Sequence, residues 1–295
     1  MKTDIKIPIL FSIIICLMHS CQREINLTSQ FEEQKQVVNC LFENGKNFYV
    51  YTSLTGTPTD TNLLGTNANS VVILYENNLQ KEILPYSSNS AVYQSNTVAK
   101  IGNTYKLEVR DTRYQPSDKH YMVTASTTLP DSIGLINPYF KDSVMQDAFG
   151  NWMGKIHFEV ADKNGMVNPE LVIEYYDPQK SDYSPISNFI PDNNWKKHAS
   201  ASISSGTYTI NNSDWNGATV AFDLFVSSID YNASGLTQFR LSLSNLSTDW
   251  RNYQTSLAAY LKASGSDDQL KVHSNILGEG YGIFAGKSIS RVVVK

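Results

Sequence analysis

From Gln36 onward the chain consists of short runs in which apolar and polar side chains alternate. They are rich in Val, Ile, Thr, Tyr and Phe and are separated by Asn, Gly, Ser and Asp. A period of two sends alternate side chains to opposite faces of an extended strand, so the pattern predicts a mostly antiparallel, all-β protein. Residues 37–42 and 47–54 flank Glu43-Asn44-Gly45-Lys46, where Asn-Gly supplies the positive φ angles of a tight hairpin turn. Phe48, Val50, Thr52 and Leu54 then share one face. Residues 71–76 and 79–84 around Asn77-Asn78 predict a second hairpin, and 91–94, 105–110 and 121–129 bring the number of strands to about seven. That number in roughly 100 residues predicts an immunoglobulin- or fibronectin-like sandwich over 36–130, closed by Pro130.

The remainder, 131–295, is again strand-rich, at 155–160, 171–176, 207–210, 219–226, 237–243, 282–284 and 291–294. One stretch breaks the period. Over 248–263, Trp250, Tyr253, Leu257, Tyr260 and Leu261 recur at helical spacing, with Ser247 or Thr248 available as N-cap and Gly265 beyond the end. This half is therefore expected to be a second β-sandwich carrying one amphipathic helix, its apolar face against a sheet. Residues 177–195 lack a period and combine Tyr183, Phe189 and Trp195 with three prolines. Long structureless loops are uncommon in compact domains, so these aromatics are the candidate ligand or partner contacts; the rival expectation is that they fold back over a sheet edge.

The N-terminus says where such a protein would reside. Lys2 and Lys6 precede an apolar run from Ile7 to Met18, and Cys21 follows Leu17-Met18-His19-Ser20. The run is too short to cross a bilayer, which takes about 20 apolar residues, and it contains Pro8. It reads as a lipoprotein signal peptide over 1–20, cleaved so that Cys21 is acylated, followed by a polar tether over 21–35. Burial of an acyl chain contributes about 0.8 kcal/mol per CH₂, and two chains suffice for stable anchoring, so membrane attachment is expected to come from the lipid. Once Cys21 is acylated only Cys40 remains in the mature chain, inside an apolar run; no intramolecular disulfide is expected and stability must come from packing. The formal charge of −4 is spread along the chain without a dense Lys/Arg cluster, which argues against a nucleic-acid partner.

The search for chemistry returns little. Gly286-Lys287-Ser288 lacks the glycine five positions earlier that a P-loop needs, Tyr281 standing there, and an alternating β run follows where a helix is required. The glycines between 278 and 286 are expected to let the backbone bend or bulge between strands. His120, His157, His198 and His273 show no zinc-ligand spacing, and Asp162-Lys163-Asn164-Gly165 fits a calcium loop poorly. No nucleophile elbow is present. The expectation is a non-catalytic protein without cofactor or metal.

Three stretches together carry a resemblance: Cys21-Gln22-Arg23-Glu24-Ile25, the hairpin beginning Val37-Val38-Asn39-Cys40, and Gly102-Asn103-Thr104-Tyr105-Lys106-Leu107-Glu108-Val109. The most specific is the ending from Ser274 to Gly286, with its Gly280-x-Gly282-x-Phe284-x-Gly286 spacing, and Asp249-Trp250-Arg251-Asn252-Tyr253 matches as a helix start. These segments resemble the Bacteroidota outer-membrane lipoproteins of domain-of-unknown-function family 4249. One departure is Pro169-Glu170 after Asn168, where the family would show an aromatic pair. The resemblance implies an accessory lipoprotein that captures substrate for, or gates, a TonB-dependent outer-membrane barrel, with a small nutrient ligand and no established catalytic residues; Gln22-Arg23-Glu24, a faint acidic export tag, favours the cell surface over the periplasmic face and leaves both open. A surface adhesion or glycan-binding module is the alternative.

Overall fold

The computed structural model describes residues 34–56, 67–162, 169–186, 189–201, 206–227, 238–263 and 271–295. Cys21 with the expected leader, and residues 163–168 where a turn is expected, lie outside these. The first half contains β1 (Gln36–Glu43), β2 (Asn47–Leu54), β3 (Ser70–Glu76), β4 (Leu79–Leu84), β5 (Tyr86–Ser87), β6 (Val92–Val98), β7 (Thr104–Asp111) and β8 (Met122–Thr128). The second contains β9 (Leu135–Gln146), β10 (Trp152–Ala161), β11 (Glu170–Asp177), β12 (Asp182–Pro185), β13 (Ile190–Pro191), α1 (Asn193–His198), β14 (Ala199–Ala201), β15 (Thr207–Ile210), β16 (Thr219–Ser227), β17 (Phe239–Leu246), α2 (Thr248–Lys262) and β18 (Gly280–Val294).

The protein is all-β, as its alternating pattern requires. In the first sandwich β1-β2-β6-β5 faces β4-β3-β7-β8, an immunoglobulin-like division in which the third strand lies beside the seventh in the second sheet. The turns follow from their residues: Gly45 has φ +72°, and Asn77 and Asn78 have φ 51° and 66°, the paired positive angles of a two-residue hairpin. The inward residues of β1 and β2, among them Val38, Cys40, Phe42, Phe48 and Val50, meet Val72, Leu74, Tyr105, Leu107 and Val109 in one core. The rings of Phe42, Phe48, Tyr105 and Phe284 lie 4.6–6.4 Å apart.

The second sandwich stacks β13-β16-β10-β9 on β14-β15-β11-β17-β18 around Ile156, Phe158, Leu171, Ile173, Phe222, Leu224, Leu241 and Leu243. Strand β9 is its long edge. Positive φ at Asn137 and Ser143 and two register shifts against β10 break its regularity, which blunts an edge otherwise open to further pairing.

The two sandwiches share a sheet. The expected strands at 282–284 and 291–294 are a single 15-residue strand, β18. Its first half pairs in parallel with β1, from Gln36↔Gly280 to Glu43↔Lys287, and its second half pairs antiparallel with β17, from Leu246↔Lys287 to Phe239↔Val294. Phe284 and Ile276 thus belong to the first core while Val294 belongs to the second. Gly280, Gly282 and Gly286 lie inside this strand rather than between two strands, and Gly278 precedes it. At Gly282, φ is +122° and a Cβ would sit 1.9 Å from the carbonyl oxygen of Val38, so no side chain fits there; at Gly286 it would press on the Phe42 ring at 2.8 Å.

Helix α2 begins where its sequence says: the Ser247 hydroxyl accepts from the Trp250 N–H at 3.3 Å. Its apolar face is shorter than the helical spacing predicts. Trp250 and Tyr253 pack on Leu246, Ile283 and Ala285, whereas Tyr260 and Leu261 are more than half exposed because the later turns run past the apolar part of β18.

Candidate functional site

The three aromatics singled out in the sequence do not form one surface. Trp195 sits on α1, whose N-cap Asp192 accepts from the Trp195 N–H at 2.7 Å, and is 6% exposed. Phe189, half-buried, meets Trp195 and Tyr208 edge-on at 5.2 and 5.4 Å, and Trp195 also reaches Phe222. These residues close the side of the second core, which is the folding-back alternative; a ring already packed on both faces has none left for a ligand. Tyr183 is elsewhere, on β12. The Arg240 guanidinium lies 4.1 Å from its ring centroid and is held by Glu174 through two hydrogen bonds of 2.6 and 2.8 Å. Cys21 lies outside the described residues.

The four histidines named above stand apart. His157 Nδ1 contacts Asp223 at 2.6 Å, His198 accepts from the Trp215 indole N–H at 3.2 Å, His273 Nε2 lies 3.1 Å from Asp249, and the His120 carbonyl accepts from Gln36 at 3.1 Å. Among the described residues no group of three or more His, Cys, Asp or Glu could hold a metal ion. Asp162 spends its carboxylate on Asn212 and the Gly217 N–H at 2.9 Å each, a turn-bracing role.

The resemblance-bearing ending is structural at each residue with an observable role. The Asn275 side chain donates to the Phe284 carbonyl at 2.8 Å and accepts from its N–H at 2.9 Å, so it acts as a one-residue strand on the side of β18 that β17 has not yet reached. Asn44 does the same near the midpoint, accepting from the Ile289 N–H at 2.6 Å. At the far end of the first sandwich, Asp111 is wholly buried, receives Arg113 and accepts from Asn67 at 3.1 Å; this network fixes Asn67 at the entry to β3.

What the arrangement leaves open is a cleft of about 450 Å³ where the first sandwich meets the start of α2, within the range of roughly 300–1,000 Å³ typical of ligand sites. One wall is Thr104 with Ser126, Thr127, Thr128 and Pro130; the other is Leu246 to Asp249 with Arg251. Thr104 and Thr128 hydroxyls join at 2.8 Å across the first wall. Arg251 donates through one terminal nitrogen to the Leu246 carbonyl at 3.1 Å, its buried Nε finds no partner, and no carboxylate lies within ion-pair distance of it among the described residues. Desolvation pulls its pKa below the ordinary arginine value, with the charge of Glu170 acting in the opposite sense. Sequence reasoning missed this cleft, because its hydroxyls come from segments more than a hundred residues apart and carry no motif. No protein-family model and no curated protein matches the chain.

Proposed function

We propose that this protein is a lipid-anchored accessory of a TonB-dependent outer-membrane barrel, held at the membrane through Cys21 and working in substrate capture or gating. The observation that carries the reading is the N-terminal succession of two lysines, a short apolar run and Cys21, a pattern that supports a thioether-linked lipid on Cys21. The resemblance of the ending from Ser274 to Gly286 adds the transporter association. Two features support an accessory role: the shared strand β18 makes the two sandwiches one continuous sheet, and the cleft beside α2 offers a recognition surface on that body. No helix among the described residues is long and apolar enough to cross a membrane.

Labelled palmitate should enter the wild-type protein but not the Cys21→Ser variant, and wild-type protein isolated in mild detergent should carry a large β-barrel protein with it. A soluble, unacylated product in cells with working lipidation machinery would defeat the anchoring. Repeated isolation without a barrel would defeat the association. The glycan-binding alternative draws no support from Trp195, whose ring is enclosed in the core.

A further inference from the structure

The free edge of β8 opens into the cleft, and its main-chain groups show what fits there. In the antiparallel pair with β7, Thr124 turns its N–H and carbonyl away from β7; both are taken by Leu277, at 3.0 and 2.7 Å, in an isolated antiparallel bridge. Strand alternation gives Ser126 and Thr128 the same outward orientation as Thr124. The register set by Thr124 and Leu277 would bring residue 275 opposite Ser126 and residue 273 opposite Thr128. The chain has already left by then: the Asn275 side chain is committed to Phe284, and the His273 N–H donates to the Ser256 hydroxyl at 2.7 Å. The outward main-chain groups of Ser126 and Thr128 therefore have no hydrogen-bond partner among the described residues, and both residues line the cleft. Across it stands Arg251, which makes no ion pair within 4 Å among the described residues although the charge of Glu170 reaches it, and the acidic side chain on the lining, Asp249, is turned to His273.

We propose that this cleft binds an extended acidic peptide segment, which adds to β8 as an antiparallel strand at Ser126 and Thr128 and sets an Asp or Glu side chain against Arg251. An unpaired strand edge is satisfied by another backbone in extended form, the flanking hydroxyls accommodate polar side chains, and a guanidinium beside it selects a carboxylate through paired N–H donors. Leu277 demonstrates the mode within the chain itself, since it already extends the same edge by one residue in the same orientation. The proposal rests on the fold alone and does not require the lipid anchor or the barrel.

The probe is a phage-displayed library of random dodecapeptides selected against the full chain, followed by a synthetic copy of the enriched peptide. Enriched sequences should share an Asp or Glu, and the synthetic peptide should slow hydrogen exchange at the Ser126 and Thr128 amides. Ser126→Pro removes the outward N–H at an exposed position and should weaken binding at least tenfold. Arg251→Gln should abolish the preference for the acidic peptide over its amide counterpart. Should Ser126→Pro fail to fold, N-methylation of alternate peptide residues tests the same hydrogen bonds on wild-type protein and should likewise cost at least tenfold. Absence of any enriched peptide, protection located away from β8, N-methylated peptides that bind equally well, or saturation of the cleft by neutral glycans in place of peptides would each overturn the proposal.

Discussion

Replacing Gly282 by alanine tests whether the parallel β1–β18 pairing is what unites the two sandwiches. Two effects add at this position. The backbone sits at φ +122°, a region that side chains avoid at a cost of about 1–3 kcal/mol. In addition, the new Cβ would lie 1.9 Å from the Val38 carbonyl oxygen and 2.7 Å from its carbon, backbone atoms of the facing strand, so the strands must part. Gly150, in the β9–β10 turn, supplies the control: its φ is +83°, but a Cβ there meets nothing within 4 Å. Gly150→Ala should lose only the left-handed penalty, about 1 kcal/mol, while Gly282→Ala should lose at least about 3 kcal/mol, the scale of a disrupted core. Urea unfolding followed by tryptophan fluorescence reads the difference as a shift in midpoint at constant slope. Trp250 packs on the strand that would part and Trp195 and Trp215 lie in the second core, so both variants should unfold in one transition, Gly282→Ala at much lower urea. Equal losses in the two alanine variants would refute the argument, because they would show that the close approach of β18 to Val38 carries no energy of its own.

Other consequences are equally direct. Trp195→Ala should destabilise by about 3–5 kcal/mol as a core truncation, whereas Tyr183→Ala, which loses a ring over Arg240 at the surface, should cost about 1 kcal/mol; matched thermal melts would expose an error if the order were reversed. Burial alone would raise the Asp111 pKa, but hydrogen bonds and charge from Arg113, with help from Asn67, hold it below the ordinary aspartate value. A lowered folded-state pKa gives stability that is full above the unfolded value near pH 4 and is lost as pH falls through the folded value, so Asp111→Asn should flatten the acid limb of the stability profile below about pH 4. An unchanged limb would show that Asp111 is not the linked group. Burial pushes the Cys40 thiol up to about 12, so a thiol reagent at pH 8 should label it only as fast as the protein opens; prompt labelling of folded protein would contradict its position in the core.

Much of the strand content was legible in the chain because local alternation and turn chemistry act at short range. The Asn77-Asn78 and Asn44-Gly45 turns stand where their residues require, and the Ser247 cap starts α2. The strands of the first sandwich fall within a residue or a few of their expected places, β6 running longest past its expected end. Strand β9, whose exposed residues show little alternation, and the six-residue helix α1 inside a proline-rich stretch had no period long enough to read.

The candidate site was less legible. A tyrosine, a phenylalanine and a tryptophan between strands look alike in a sequence whether they face water or a core. What separates Trp195 from Tyr183 is the position of Phe189, Tyr208 and Phe222, which are brought together from strands far apart in the chain.

The sequence by itself determined that this is an all-β protein, since alternation and turn chemistry are written in residues within a few positions of one another. Only the tertiary structure decided that one strand, β18, serves both sandwiches and that an open edge at Ser126 and Thr128 faces Arg251. Strand pairing is made by backbone groups that every residue possesses, so the partner of a strand is chosen by the packing of the whole and leaves little trace in the letters.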